Sequence, residues 1–133
     1  MSFEIRKNQA LAIPYMTLTK QNGVLICRFT DKLEIDQDVA LVCTQARMDF
    51  CQALSYPVLF DLRGVKGISR QAREYLAGEG SRMLITAAFL GDSPVSMLIG
   101  TIFQRINRLL VPTRLFAEEE TALHWLRNHY GNN

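Results

Sequence analysis

The chain has no Cys-x-x-Cys pair, no Gly-x-Ser-x-Gly elbow and no glycine-rich phosphate loop. Those absences remove the common signatures of redox, hydrolase and nucleotide chemistry, and no paired-carboxylate or Cys–His motif replaces them. Cys27, Cys43 and Cys51 are an odd number outside any turn-rich framework, so neither a disulfide nor a zinc site is expected. Cys27 falls in a strand pattern and the other two in a helix pattern, where free cysteine packs as a small hydrophobe. Reduced thiols point to the cytoplasm. The two histidines, His124 and His129, are five apart and do not share a helix face as zinc ligands would. Asp31, Glu34, Asp36 and Asp38 cluster without the spacing of a calcium loop. No metal, no cofactor and no enzymatic activity are expected.

Charge of one sign is also missing. A net charge of +2 does not mark a nucleic-acid binder. The opening MSFEIRKNQALAIPY has no uninterrupted apolar core, so it does not read as a secretory signal. The most apolar helix pattern, Pro94 to Leu110, is interrupted by Gln104, Arg105, Asn107 and Arg108, and no membrane span is expected.

What is present is ordinary globular material: 133 residues, 48% hydrophobic and 21% charged. That size and mixture fit one domain over residues 1–133. Pro14 to Lys20 and Val24 to Thr30 are β-rich runs joined by Gln21-Asn22-Gly23, which predicts an antiparallel hairpin. For residues 1–13 a short extra strand and a loose arm both remain open. Asp36 to Leu54 carries Val39, Val42, Cys43, Ala46, Phe50 and Leu54 at helical spacing, with an aspartate to cap its start. Val58 to Leu62 and Leu84 to Leu90 are apolar runs suited to strands buried on both faces.

Ser69 opens a helix running to about Gly78. Ser93-Pro94 opens another, whose expected inner face is Val95, Leu98, Ile99, Ile102, Ile106 and Leu109, broadened by Met97, Phe103 and Leu110. Thr113 to Phe116 is a last strand, and Glu118 to Glu120 start a final helix packed through Ala122, Trp125, Leu126 and His129. The order ββαβαβαβα predicts an α/β fold. Its mixed sheet of four or five strands would have an antiparallel hairpin at one edge, parallel strands beyond it and about four helices.

This order, with DLRGVKGIS after the third strand, resembles the STAS family, the anti-sigma-factor antagonists and their relatives. In that family a buried strand ends in Asp-Leu-x-x-Val, and a loop leads to a helix whose N-terminal serine or threonine is phosphorylated. Asp61, Leu62, Gly64, Val65 and Ile68 match the pattern. The stretches YPVLFDLRGV, SPVSMLIG and PTRLFAEEETALHWL are similar to small bacterial STAS-like proteins, and the resemblance runs from about Tyr15 to Leu126. It departs at the switch. Where the family has Asp-Ser-Ser-Gly, this chain has Ser69-Arg70-Gln71-Ala72.

The resemblance implies a non-catalytic regulatory or protein-interaction module with an unidentified protein partner. Its contact surface is expected at the basic loop and helix start 63–73, where Arg63, Lys66, Arg70 and Arg73 carry four cations with no acid between Arg63 and Arg73. The alternative for these cations is local pairing with Asp61, Glu74 or Glu79. Ser69 reads either as a helix cap or as a displaced phosphosite. Met97 and Phe103 are candidates for an exposed face that holds a second copy, as a homodimer, or a ligand. A second function class remains beside the first: a carrier or sensor for a lipid or other small apolar molecule, using a pocket near helix 94–110.

Overall fold

Asn22 and Gly23 both take positive φ, 53° and 83°, the two left-handed positions that a tight hairpin turn demands. They join β2 (Met16–Gln21) to β3 (Val24–Phe29) in an antiparallel ladder from Met16 opposite Phe29 to Gln21 opposite Val24. The computed structural model describes residues 10–131, with side chains through Asn128. Ahead of the hairpin, β1 (Ala10–Ile13) pairs antiparallel with β2. Residues 10–13 are therefore a strand, and residues 1–9 lie outside the described residues.

β5 (Tyr56–Asp61), β7 (Leu84–Leu90) and β8 (Thr113–Phe116) continue the sheet in parallel, giving the order β1-β2-β3-β5-β7-β8. Between β3 and β5 lie a short strand, β4 (Leu33–Ile35), and helix α1 (Gln37–Phe50). Between β5 and β7 lie β6 (Val65–Ile68) and α2 (Arg70–Ala77). Helix α3 (Pro94–Arg105) links β7 to β8, and α4 (Glu119–Gly131) follows β8. The fold is α/β with a mixed sheet, as expected, and the sheet has six strands. β4 and β6 form a second, two-stranded parallel sheet. The segment 63–68, expected as a loop, is therefore strand from Val65 to Ile68. Val65 must be covered, and it is only 4% exposed.

Alternation along the strands divides the core. Val24, Ile26, Leu59, Ala88 and Leu90 face α4 through Ala122, Leu123 and Leu126. Leu25, Cys27, Val58, Ala87 and Phe89 face α1, α2 and α3. Residues on both faces are buried because a parallel sheet is covered on both sides. On the three-helix side Phe60 stacks on Phe89 at 5.3 Å and Phe89 on Phe103 at 5.0 Å between ring centroids.

Two helices are turned from their expected orientation. On α1, Val42 is 47% exposed, and Leu54 beyond it is also exposed, whereas Ala40, Thr44 and Arg47 are buried. The guanidinium of Arg47 can be buried because its Nη2 donates to the carbonyls of Gly80 and Arg82 at 3.0 and 2.9 Å. On α3 the inward residues are Ser96, Ile99, Gly100 and Phe103, while Val95, Leu98 and Ile106 are exposed. Ser96 turns inward at little cost because its hydroxyl accepts from the backbone N–H of Asp92 and of Ser93, closing a capping box. Gly100 faces Leu115 of β8 so closely that a Cβ there would run into the Leu115 side chain. Phe103, which the sequence left between a broadened inner face and an exposed one, is core at 2% exposure.

This orientation is checked by a pair of truncations. Phe103→Ala should cost about 3–5 kcal/mol in chemical denaturation, and Leu98→Ala within about 0.5 kcal/mol of nothing. The face expected from sequence alone would make Leu98→Ala a loss of about 2–5 kcal/mol as well.

Candidate functional site

The carboxyl ends of β3 and β5 bring together four charges. Arg28 Nη1 donates to Asp61 Oδ2 at 2.9 Å, and its two terminal nitrogens grip Glu119 at 2.8 and 2.7 Å. Arg63 approaches Asp61 with Nε and Nη2 at 3.0 and 2.8 Å, adds its backbone N–H at 3.1 Å, and reaches Glu119 at 3.2 Å. Burial alone would raise the Asp61 carboxyl. The bonds from Arg63 and Arg28 outweigh it and hold the group below its usual value. Glu119 is held down chiefly by its bond from Arg28. A shallow cleft of about 370 Å³ opens here, lined by Arg28, Phe29, Asp31, Asp61, Arg63, Gly64 and Asp92. Open α/β sheets commonly seat ligands at this position. Here the two cations are spent on the two acids, and Asp31 and Asp92 leave the cleft with no positive field for an anion.

The remaining sequence candidates lie around α2. Ser69 Oγ accepts from the Ala72 N–H at 3.1 Å, and its own N–H donates to the Ile35 carbonyl at 2.9 Å. It caps α2 and ties that helix to β4. A second shallow cleft beside it is lined by Asp36, Gln37, Asp38, Ser69 and Gln71, so a phosphate on Ser69 would meet two carboxylates. Lys66 lies 3.9 Å from Glu34, and Arg70 Nε donates to Glu74 at 3.1 Å. Arg73 reaches the Asn107 side chain at 3.2 Å and the Ile68 carbonyl at 3.4 Å. The structure therefore splits the basic cluster. Arg63 belongs to the strand-end network, whereas Lys66, Arg70 and Arg73 border α2 and β6. Glu74 and Asp61 take the pairing roles that the sequence offered them.

Arg28 and Glu119 were not singled out in the sequence. They are 91 residues apart, and one sits in a strand while the other begins a helix. Their meeting needs the completed sheet. Also missed were the outward residues of α3: Val95, Leu98, Ile106 and, past the helix, Leu110, which is 89% exposed. At 100° per residue Val95, Leu98, Ile102 and Ile106 fall on one narrow stripe. Gly100 and Leu115 mark the β8 side of α3. The stripe lies on the opposite flank, toward β6 and α2. Met97 is half-buried.

The interior offers little room. Beneath α3 a wholly apolar cavity of about 30 Å³ is lined by residues including Phe60, Leu76, Phe89 and Phe103, and another of about 20 Å³ lies near Arg47 and Thr44. Burial pushes the thiol of Cys43 up to about 12 and raises those of Cys27 and Cys51, so none is a ready nucleophile. Among the described residues no helix is long and apolar enough to cross a membrane.

Residues 17–130 match the model of a family described as a domain of unknown function, DUF7793. The chain belongs to that family. Among solved structures it is similar to an uncharacterized protein from the DUF3478 family with a SpoIIAA-like fold, from Shewanella loihica PV-4. The TM-score is 0.61 at 12% identity, over 87% of this chain and 98% of that one. At such identity the likeness shows the fold alone, and that fold is the STAS-like architecture which the DLRGVKGIS segment suggested. None of the curated proteins matches.

The strand-end network has a pH signature. Both carboxyls are held below their unfolded values, so their contribution is complete above the ordinary carboxylate range and is lost as pH falls from that range through the lower folded-state values. Asp61→Asn should cost roughly 1.5–3 kcal/mol at neutral pH. The gap from wild type should shrink on acidification, as read by urea unfolding at stepped pH. A gap independent of pH would mean that the Asp61 charge contributes nothing.

Proposed function

We infer that this chain is a non-catalytic protein-interaction module of the STAS type, contacting another protein chain through the outer stripe of α3 and the adjoining cationic start of α2. The observation that carries this reading is the exposure of that stripe. Val95, Leu98 and Ile106 are 44%, 60% and 73% exposed on a helix whose other side is packed. Large apolar side chains aligned on one exposed face are costly to leave in water and are a usual mark of a partner surface. Lys66, Arg70 and Arg73 stand on the flank that the stripe faces and add a polar border.

Within this reading Ser69 acts as a cap. Ser69→Ala should lower stability by about 0.5–2 kcal/mol and leave partner binding intact. Lost binding at unchanged stability would instead mark a switch. The carrier alternative gains no support from the interior. A cavity of about 30 Å³ is far below the roughly 150 Å³ that admits a benzene-sized guest.

The module reading is tested by using the tagged chain as bait, with both its own untagged copy and a native lysate as prey. Leu98→Glu should abolish capture. Lys66→Glu with Arg70→Glu should weaken it and flatten its salt dependence. Capture that survives Leu98→Glu would remove α3 from the contact surface.

A further inference from the structure

We propose that the occupant of the α3 stripe is a second copy of this chain, with the two α3 helices packed antiparallel through their stripes about a two-fold axis level with Gly100. The proposal rests on the interaction-module reading and names its partner. The stripe is narrow, with apolar residues three or four apart, which is the geometry of a seam for one facing helix and not of a broad sheet contact. From Ser93 to Gln104 it carries no charge.

Its two ends differ in sign. Exposed Asp92 stands just before the helix, and exposed Arg105 and Arg108 stand at and beyond its end. A surface with an acid at one end and cations at the other is complementary to itself when reversed. Laid parallel, acid would face acid and arginine would face arginine. Reversed about Gly100, Leu98 comes opposite Ile102 of the second copy and Asp92 opposite Arg108, with Val95 one residue out of line with Ile106. One apolar pair and the charged pair share this register and the second apolar pair lies a residue from it, the self-matching that a two-fold contact asks for. A uniformly acidic partner would satisfy the arginines and leave Asp92 opposed, as would an anionic bilayer. The antiparallel arrangement also sets each helix's positive end beside the other's negative end. A contact built on one short helix pair lies at the small end of interface sizes, so the dimer is weak and concentration-dependent.

Sedimentation equilibrium of the full chain over a wide concentration range tests this. Wild type should show a monomer–dimer equilibrium. Leu98→Glu and Ile106→Glu should each be monomeric, with thermal unfolding matching that of dilute wild type. Asp92→Arg and Arg108→Asp should each weaken the dimer by about tenfold or more, and the two combined should restore it. Rescue by the double reversal separates pairing from any loss of helix stability in the single variants. A wild type that stays monomeric throughout, a dimer that persists in both glutamate variants, or a combined reversal no better than its parts would each overturn the proposal. If the wild type is monomeric yet captures a lysate protein through Leu98, self-pairing falls and the module reading stands. If it captures nothing, both fall.

Discussion

Everything in this molecule depends on β5 lying between β3 and β7 with both of its faces buried. Val58 and Leu59 are each wholly inaccessible, one toward α1–α3 and the other toward α4. A strand in that position must carry apolar residues at successive positions, and its neighbours must run parallel if each connection is to return over a face of the sheet. Once β5 is so placed, its last residue, Asp61, is delivered to the carboxyl edge of the sheet. There Arg28 at the corresponding end of β3 is its direct partner in register.

That edge explains why the charge network is closed. Asp61 is 6% exposed, and a carboxylate so buried requires donors for its lone pairs. Arg63 comes from the turn immediately after the strand and Arg28 from the neighbouring strand. The two guanidiniums then share Glu119 at the start of α4. The acid meets the positive end of its own helix and completes the neutralisation. The network thus ties the helix on one face of the sheet to the strand ends and to the turn leading into β6. Its logic is structural neutrality, which leaves no unpaired cation in the cleft to recruit an anion.

The sequence made strands legible where periodicity was unambiguous. The limits of Leu84–Leu90 and Thr113–Phe116, and the Asn22-Gly23 turn, follow from local chemistry alone, and the Asp-Leu-x-x-Val match pointed to the right architecture. Helix faces were harder, for one physical reason at both α1 and α3. A polar residue whose hydrogen bonds are satisfied locally can turn inward, yet a hydrophobic pattern counts it as outward. Arg47 is satisfied by two carbonyls of the turn after α2, more than thirty residues on, and Ser96 by its own cap. Each rotates its helix and brings apolar residues to the surface that the pattern had assigned to the core. The short strands β4 and β6 escaped because three or four residues carry too little periodicity. Their pairing is a tertiary event that no local window contains.

On the proposed reading, the rotation of α3 is where fold and function meet. Had the helix faced inward through Leu98 and Ile102, the protein would have had a wider core and a polar outer surface. Ser96 and Gly100 instead let α3 approach β8 closely, with Gly100 against Leu115, and Phe103 completes the aromatic stack with Phe89 and Phe60. The cavity beneath α3 that results is only about 30 Å³. The same packing also displaces a row of aliphatic side chains onto the flank beside β6 and α2. A monomer with no use for that row would carry an exposed apolar face without compensation, since polar side chains on the same stripe would cost the core nothing. The economy of the packing thus directs the search for function away from the interior and the strand-end cleft, and toward what covers α3.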